Sequence, residues 1–230
     1  MLAKQIELDV GKYLSAKLIK QKFFTFVCVA IFFMLFSVPT EATQSKFSQN
    51  DEIIISRVEK YLNELITLKS RFLQATSKGN YAEGTFYLSR PGKMRIEYDP
   101  PVKFLIVADG NWLIYNDLEL NHITHLPINM SPASVLVEEK ISLLSDKFTV
   151  TKVDQSSGVI SVNIVPVDDD IGTLILIFAD KPLELKKWIV IDAQGIKTSV
   201  SLLSSQRDIA IDPKLFKIKL KENFNPLGEK

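Results

Sequence analysis

Few residues in this chain could do chemistry. The only two histidines, His122 and His125, stand three apart on a predicted strand, Leu120 to Leu126. An odd spacing sends them to opposite faces, so they cannot share a metal ion. Asp168-Asp169-Asp170 lacks the glycine and the terminal glutamate of a calcium loop and reads as a solvated turn. The single cysteine, Cys28, lies inside an apolar run near the N-terminus. The rest of the chain therefore has no disulfide, thiol nucleophile or thiolate ligand. No G-x-S-x-G elbow, phosphate-binding loop or H-E-x-x-H helix occurs; Gly11-Lys12 and Gly92-Lys93 lack the spacing and the Ser/Thr of the loop. No enzyme, metal or cofactor is expected, and a binding protein is. One polar residue stands out by its place. Arg90 sits at the mouth of the strand in SRPGKMRIEYDPP, residues 89–101, where Met94, Ile96 and Tyr98 alternate with Arg95, Glu97 and Asp99.

The elements that must position Arg90 are mostly strands. Ser48 to Asp51 fit a capping box. Ile54, Val58, Tyr61, Leu62, Leu65 and Phe72 then recur at helical spacing, which predicts one long amphipathic helix ending near Ser77 to Gly79. Strands follow at Tyr81 to Ser89 and Lys93 to Tyr98. Phe104 to Ala108 and Trp112 to Tyr115 come next, joined by Asp109-Gly110-Asn111, a hairpin signal. Ser131-Pro132 opens a short helix near Ala133 to Glu139, and a turn covers Ile141 to Asp146. Strands resume at Phe148 to Val153, Val159 to Val165, Gly172 to Ala179, Leu183 to Ile191 and Ile196 to Ser204. A helical turn at Asp212-Pro213 precedes Phe216 to Leu220. Ten or so consecutive antiparallel strands give a large curled sheet with a few helices on one face. FLIVA, WLIY, LILIFA and WIVI are apolar on both sides. A covered sheet needs only one apolar face, so these strands imply either a thick core or a cavity for an apolar ligand.

Residues 23–38 run without a charge after Lys12, Lys17, Lys20 and Lys22, and Thr40 and Ala42 suit a cleavage site. This is the layout of a secretory signal peptide, shorter than the roughly 20 residues of a spanning helix. Residues 1–42 are read as a cleaved leader, with an uncleaved anchor as the rival reading, and 43–230 as one exported domain. The large Val27 before Cys28 argues against lipoprotein processing. The chain carries 28 basic and 27 acidic residues; the leader takes five lysines and three acids, leaving 23 against 24. That balance excludes a nucleic-acid surface.

EGTFYLSRPGKMRIEYDPP, followed by VADGNWLIYND, resembles the LolA family of periplasmic lipoprotein carriers. The matching residues are Arg90-Pro91-Gly92, Arg95-Ile96-Glu97-Tyr98, Asp109-Gly110 and Tyr115, with Phe72 to Gln74 at the end of the leading helix and, loosely, DAQGIKTSV near the C-terminus. The likeness covers about residues 50–220. It implies an unclosed antiparallel β-barrel of about 10–11 strands, covered by helices around an apolar cavity in a monomer. It implies as partners acylated lipoproteins, an inner-membrane ATP-driven (ABC-type) exporter and an outer-membrane acceptor. It implies that Arg90 hydrogen-bonds into the lid and holds the empty cavity shut; an ordinary strand-end arginine with its head in water is the alternative. Phe86, Leu88, Met94, Ile96, Ile106 and Ile114 are the apolar candidates for the wall. Ile96 and Leu113 stand where the family pattern has tryptophan, and Trp112 sits one residue early, so no cavity role passes to Trp112. Related half-barrels in envelope-stress regulators offer a second reading, a lipid-sensing interaction module. Those usually carry a second domain, whereas this chain ends soon after its last predicted strand, which favours the carrier.

Overall fold

The computed structural model describes residues 47–167 and 171–218. The leader with Cys28, the run Asp168-Asp169-Asp170 and the predicted strand beyond residue 218 lie outside them. Among the described residues one helix, α1 (Gln49–Glu64), comes first, with the predicted capping box in place: Asp51 N donates to Ser48 Oγ at 3.2 Å and Ser48 N to Asp51 Oδ2 at 3.1 Å. Eleven strands follow: β1 (Thr67–Thr76), β2 (Tyr81–Ser89), β3 (Lys93–Tyr98), β4 (Phe104–Asp109), β5 (Trp112–Asp117), β6 (His122–Pro127), β7 (Phe148–Ser156), β8 (Val159–Pro166), β9 (Thr173–Ala179), β10 (Glu184–Ile191) and β11 (Lys197–Arg207).

The predicted helix overruns its true end by more than ten residues. α1 stops at Glu64, Leu65 turns extended, and Thr67–Thr76 is a strand. The cause is a spacing that serves two periods. Leu68 and Phe72 are four apart, which suits one helical face and also one strand face. Between them Lys69 and Arg71 point out and Ser70 in, a period of two. Neither glycine nor proline marks the boundary. The short helix expected at Ala133 to Glu139 is a 3₁₀ turn, Pro132–Val137, capped by Ser131. Phe216 closes another, Pro213–Phe216, rather than opening a strand.

All eleven strands form one antiparallel sheet in the order β6-β5-β4-β3-β2-β1-β11-β10-β9-β8-β7. Two meanders, β1 to β6 and β7 to β11, are thus joined by the pairing of β1 with β11. The sheet is unclosed, and its outer edges are β6 and β7. Bulges at Lys69/Arg71, Leu185/Lys187 and Val150/Lys152 break the ladder and add local bend and twist. Since β6 and β7 are consecutive in sequence but opposite in space, residues 128–147 must cross from one edge to the other. They cross over the inner face, and Val135, Leu136, Val137, Ile141 and Leu143 are buried there. This crossing strap and α1 are the cover.

The inner face is apolar almost throughout. Its register runs from Ala108 and Met94 to Leu88 and Leu68, and from Phe72 through Leu202; a second row passes from Val200 to Trp188, Leu176 and Val162. Ile54, Ile55, Val58 and Leu62 of α1, with Leu65, pack onto it. At about 1.5–3 kcal/mol each, these five side chains contribute on the order of 10 kcal/mol before chain entropy is subtracted. A smaller cluster lies on the outer face, where Phe216 covers Leu105 and Val107 of β4.

Phe72 of β1 lies across Gly84 of β2, its cross-strand partner. A Cβ on Gly84 would collide with the carbonyl oxygen of Glu97 and stand 2.7 Å from the Phe72 ring. Gly84→Ala is expected to cost about 3 kcal/mol, a fall in Tm of roughly 6–12 °C for a domain of this size. Thermal unfolding followed by circular dichroism measures it; an unchanged Tm would contradict this packing.

Candidate functional site

The site is built around Arg90, at the turn between β2 and β3. Gly92 takes φ +77°, a conformation that costs glycine little. The turn brings the Gly92 amide within 2.8 Å of Val137 O in the strap. The Arg90 amide donates to Ile66 O at 2.8 Å, just beyond α1. The guanidinium then turns inward and is only 7% exposed. Its Nε and Nη2 donate to Glu138 O at 2.9 and 2.6 Å, and Nη2 also to Glu139 O at 3.3 Å. On the other side Nη1 donates to Leu65 O at 3.3 Å and to Leu62 O.

Every partner of this guanidinium is a backbone carbonyl. Two belong to the C-terminal end of α1, where carbonyls are short of helical donors (Leu62 O has only a 3.3 Å bond from Leu65 N) and the helix dipole is negative. The last turn of α1 has no basic residue of its own; Arg90 supplies the charge from the sheet. The others belong to the strap. One planar fork therefore joins sheet, helix and strap, a geometry that lysine cannot match. Burial pulls the Arg90 guanidinium below its ordinary pKa, and the charge of Glu138 opposes that. The sequence places Arg90 at a strand mouth; the structure turns its head inward rather than into water.

Further bonds tie the strap to α1. Asn63 Nδ2 donates to Ile141 O at 2.8 Å and Asn63 Oδ1 accepts from Ile141 N at 2.9 Å. Leu143 N donates to Glu59 Oε2 at 2.8 Å. These contacts could not be foreseen, because Asn63 and Glu59 were assigned no partner on a helix of unknown surroundings.

Of the wall candidates, Phe86, Leu88, Met94 and Ile96 lie buried on the inner face under the cover, and Ile106 packs against them half-buried. Ile114 does not join them. It opposes Val107, which belongs to the outer cluster. The inner positions of β5 are Leu113 and Tyr115, which pack on the main core. A one-residue error in register moves a side chain to the other face, and the odd offset of Trp112 was the warning. Trp112 is 40% exposed on the outer face, edge-on to His125 at 6.3 Å. The wall also includes residues that were not among the wall candidates: Phe72, Trp188 and Tyr98. Phe86 and Trp188 meet at 5.0 Å across the two meanders. Phe72, Tyr98, Phe104 and Tyr115 form a row of rings 5.4–6.3 Å apart at the end of the trough away from Arg90.

The trough is occupied by the cover's own side chains. Two clefts of about 290 and 240 Å³ flank the strap, both touching Asn129, Ser134 and Glu138. They are smaller than the roughly 300–1,000 Å³ usual for ligand pockets and of mixed polarity. Space for an apolar guest must come from moving the cover.

Three comparisons place the chain among known proteins. Residues 63–219 match the family model of the outer membrane lipoprotein carrier protein LolA. An outer-membrane lipoprotein carrier protein of Methylobacillus flagellatus is 29% identical over 184 residues, 76% of this chain and 89% of that protein. One of Methylococcus capsulatus is 28% identical over 178 residues, 74% and 85% of the two chains. The crystal structure of a LolA-superfamily protein from Nitrosomonas europaea covers 71% of this chain and 97% of its own at 7% identity and a TM-score of 0.44, too slight to carry weight.

Tyr98 donates to Gln74 Oε1 at 2.8 Å from within the aromatic row, and burial pushes its phenol up to about 12. The folded state thus holds this proton beyond the ordinary value of 10. Its contribution to stability is complete below pH 10 and is lost as pH rises towards 12. Ultraviolet titration should show a late-ionising tyrosine that Tyr98→Phe removes. Ionisation of all tyrosines near pH 10 would contradict the packing of this row.

Proposed function

The chain belongs to the outer membrane lipoprotein carrier family LolA, and on that premise we propose that it shields the acyl chains of lipoproteins in transit through the periplasm. Its leader, residues 1–42, is cleaved on export, and residues 43–230 act as one carrier domain. An ATP-driven exporter in the inner membrane loads it and an acceptor at the outer membrane unloads it. The need for a carrier is physical. Each exposed CH₂ costs about 0.8 kcal/mol in water, so a chain of about 16 carbons costs roughly 12 kcal/mol. Free diffusion of an acylated protein between two membranes is then negligible.

The observation that carries this reading is the position of Arg90 between α1, the strap and an apolar trough. The trough, walled by Phe86, Leu88, Met94, Ile96 and Ile106, is apolar, and so is what fills it. Exchange of the cover's side chains for a hydrocarbon guest replaces one apolar contact with another and changes the hydrophobic term little. A small polar term can then decide between the states. The guanidinium–carbonyl bonds favour the closed, empty state; the acyl chain favours the open one. Release returns the cover to the trough and the fork to its carbonyls. No nucleotide is needed in the carrier itself.

Arg90→Leu tests this. In the closed state it deprives buried carbonyls of their charged donor, whereas in the open state water can reach them. Hydrogen bonds to charged groups are worth about 1.5–3 kcal/mol each. Loss of even two, about 3 kcal/mol or more, should slow release of an acylated peptide by roughly 100-fold while uptake persists. Release at the parent rate would remove the latch. Mass spectrometry of the protein from its own periplasm tests the cargo: acylated protein supports a carrier, and free phospholipid alone would point to a lipid sensor.

A further inference from the structure

The two parts of the cover are attached to different halves of the sheet. α1 is held to the β7–β11 half by side chains on its own face. Arg57 Nη2 donates to Asp180 Oδ1 at 2.8 Å, and Gln155 Nε2 donates to Asp180 Oδ2 at 3.0 Å. Both carboxylate oxygens are used, and the group is only 8% exposed, in the turn between β9 and β10. The Asp180 amide donates to Gly158 O at 2.9 Å, so β7, the β7–β8 turn and the β9–β10 turn converge on this one residue. Arg57 and Gln155 hold its carboxyl below the usual carboxylate range, so the pair is charged at neutral pH. One helical turn further on, Tyr61 Oη accepts from Leu185 N at 3.1 Å. Its ring meets Phe178 edge-on at 5.6 Å, with the Arg207 guanidinium 4.7 Å from its centre.

The front of the strap is attached to the other half. Ile128 N donates to Asn111 O at 3.2 Å, Gly92 N to Val137 O, and Arg90 to Glu138 and Glu139. The two clefts lie on its two flanks, one bounded by Phe148, Pro166 and Val167 and the other by Pro91, Gly92 and Gly110. The strap is thus a bridge with open space on each side; Arg90 links its front to the end of α1, and Asn63 and Glu59 fasten its rear, at Ile141 and Leu143, to the same helix.

We propose that α1 is the fixed half of the cover and the strap from Ile128 to Lys140 the moving half, with Arg57, Asp180 and Gln155 as the clasp that keeps α1 seated when Arg90 lets go. Arg57 and Asp180 are then positioning residues. Resting on the carrier reading above, the consequence is that hydrocarbon enters over the β2–β4 wall, beneath the strap, and lies against a helix that has not left the sheet.

Amide hydrogen exchange on the chain without ligand tests the division. In Arg90→Leu the Gly92 and Ile128 amides should exchange at least tenfold faster, while the amides of Ile55 to Tyr61 keep the parent rate. Equal acceleration of α1 and strap would overturn the proposal. In Arg57→Met the α1 amides should accelerate at least tenfold while those of β1 and β11 do not, and Arg57→Lys should restore most of the protection. Acceleration of the whole domain, or none in α1, would reduce the clasp to an ordinary packing contact and refute it. Should Arg90→Leu not fold, the parent protein gives the same comparison: Gly92 must open more readily than Val58, and the reverse order refutes the division. No lipid is used, so failure of the carrier reading appears in the release assay and not here.

Discussion

An inner face that is apolar almost throughout cannot stand bare in water. At about 25 cal/mol per Å² of apolar surface, exposing the trough would cost more than the few kcal/mol by which a domain is usually stable. The rest of the fold answers this constraint. The sheet cannot hide its own face by closing, because β6 and β7 are edges. The cover must come from elsewhere in the chain, and the topology supplies it. A chain that ends one meander at β6 and starts the next at β7 has to cross the trough, and the crossing segment brings apolar side chains with it.

A cover held by apolar contact alone would be poorly defined, since hydrophobic attraction has no direction. Direction comes from a small number of polar groups placed at the margin of the trough. Arg90 is the most buried of these, and its partners are carbonyls rather than a carboxylate. Carbonyls at a helix end and in a strap are fixed in space by their backbones. A guanidinium that donates to four of them holds both pieces to one geometry. A carboxylate on a flexible side chain would hold charge without holding geometry.

Arginine, asparagine and aspartate thus divide the work along the cover. Asn63 fastens strap to helix through a paired amide. Asp180 fastens helix to sheet through both of its oxygens. The same greasy interface is thereby fastened at separate places by separate polar groups.

How much of this was legible follows from the range of each signal. The capping box, the turn glycines and the alternating strands from Tyr81 onward are local patterns, and they mark α1's start and most of the strands. The motif around Arg90-Pro91-Gly92 marked the family and the residue at the centre of the site. The end of α1 was misread because Phe72, seven positions after Leu65, still falls on the helical face, while Leu68 and Phe72 equally suit one strand face, and only pairing with β2 and β11 selects the strand. Ile114 was misplaced because one residue of register exchanges the faces of β5, and only its pairing with β4 sets that register.

Local composition alone was enough to determine a curled antiparallel sheet, its amphipathic helix and the arginine at the strand mouth, since each depends on residues a few positions apart. It could not say that residues 25, 28, 48 and 49 positions away would supply the carbonyls for Arg90, or that Arg57 would meet Asp180. Those contacts depend on which edge each strand occupies and where the chain crosses the trough. That is decided by burial of the whole inner face at once, a condition that no short stretch of sequence can express.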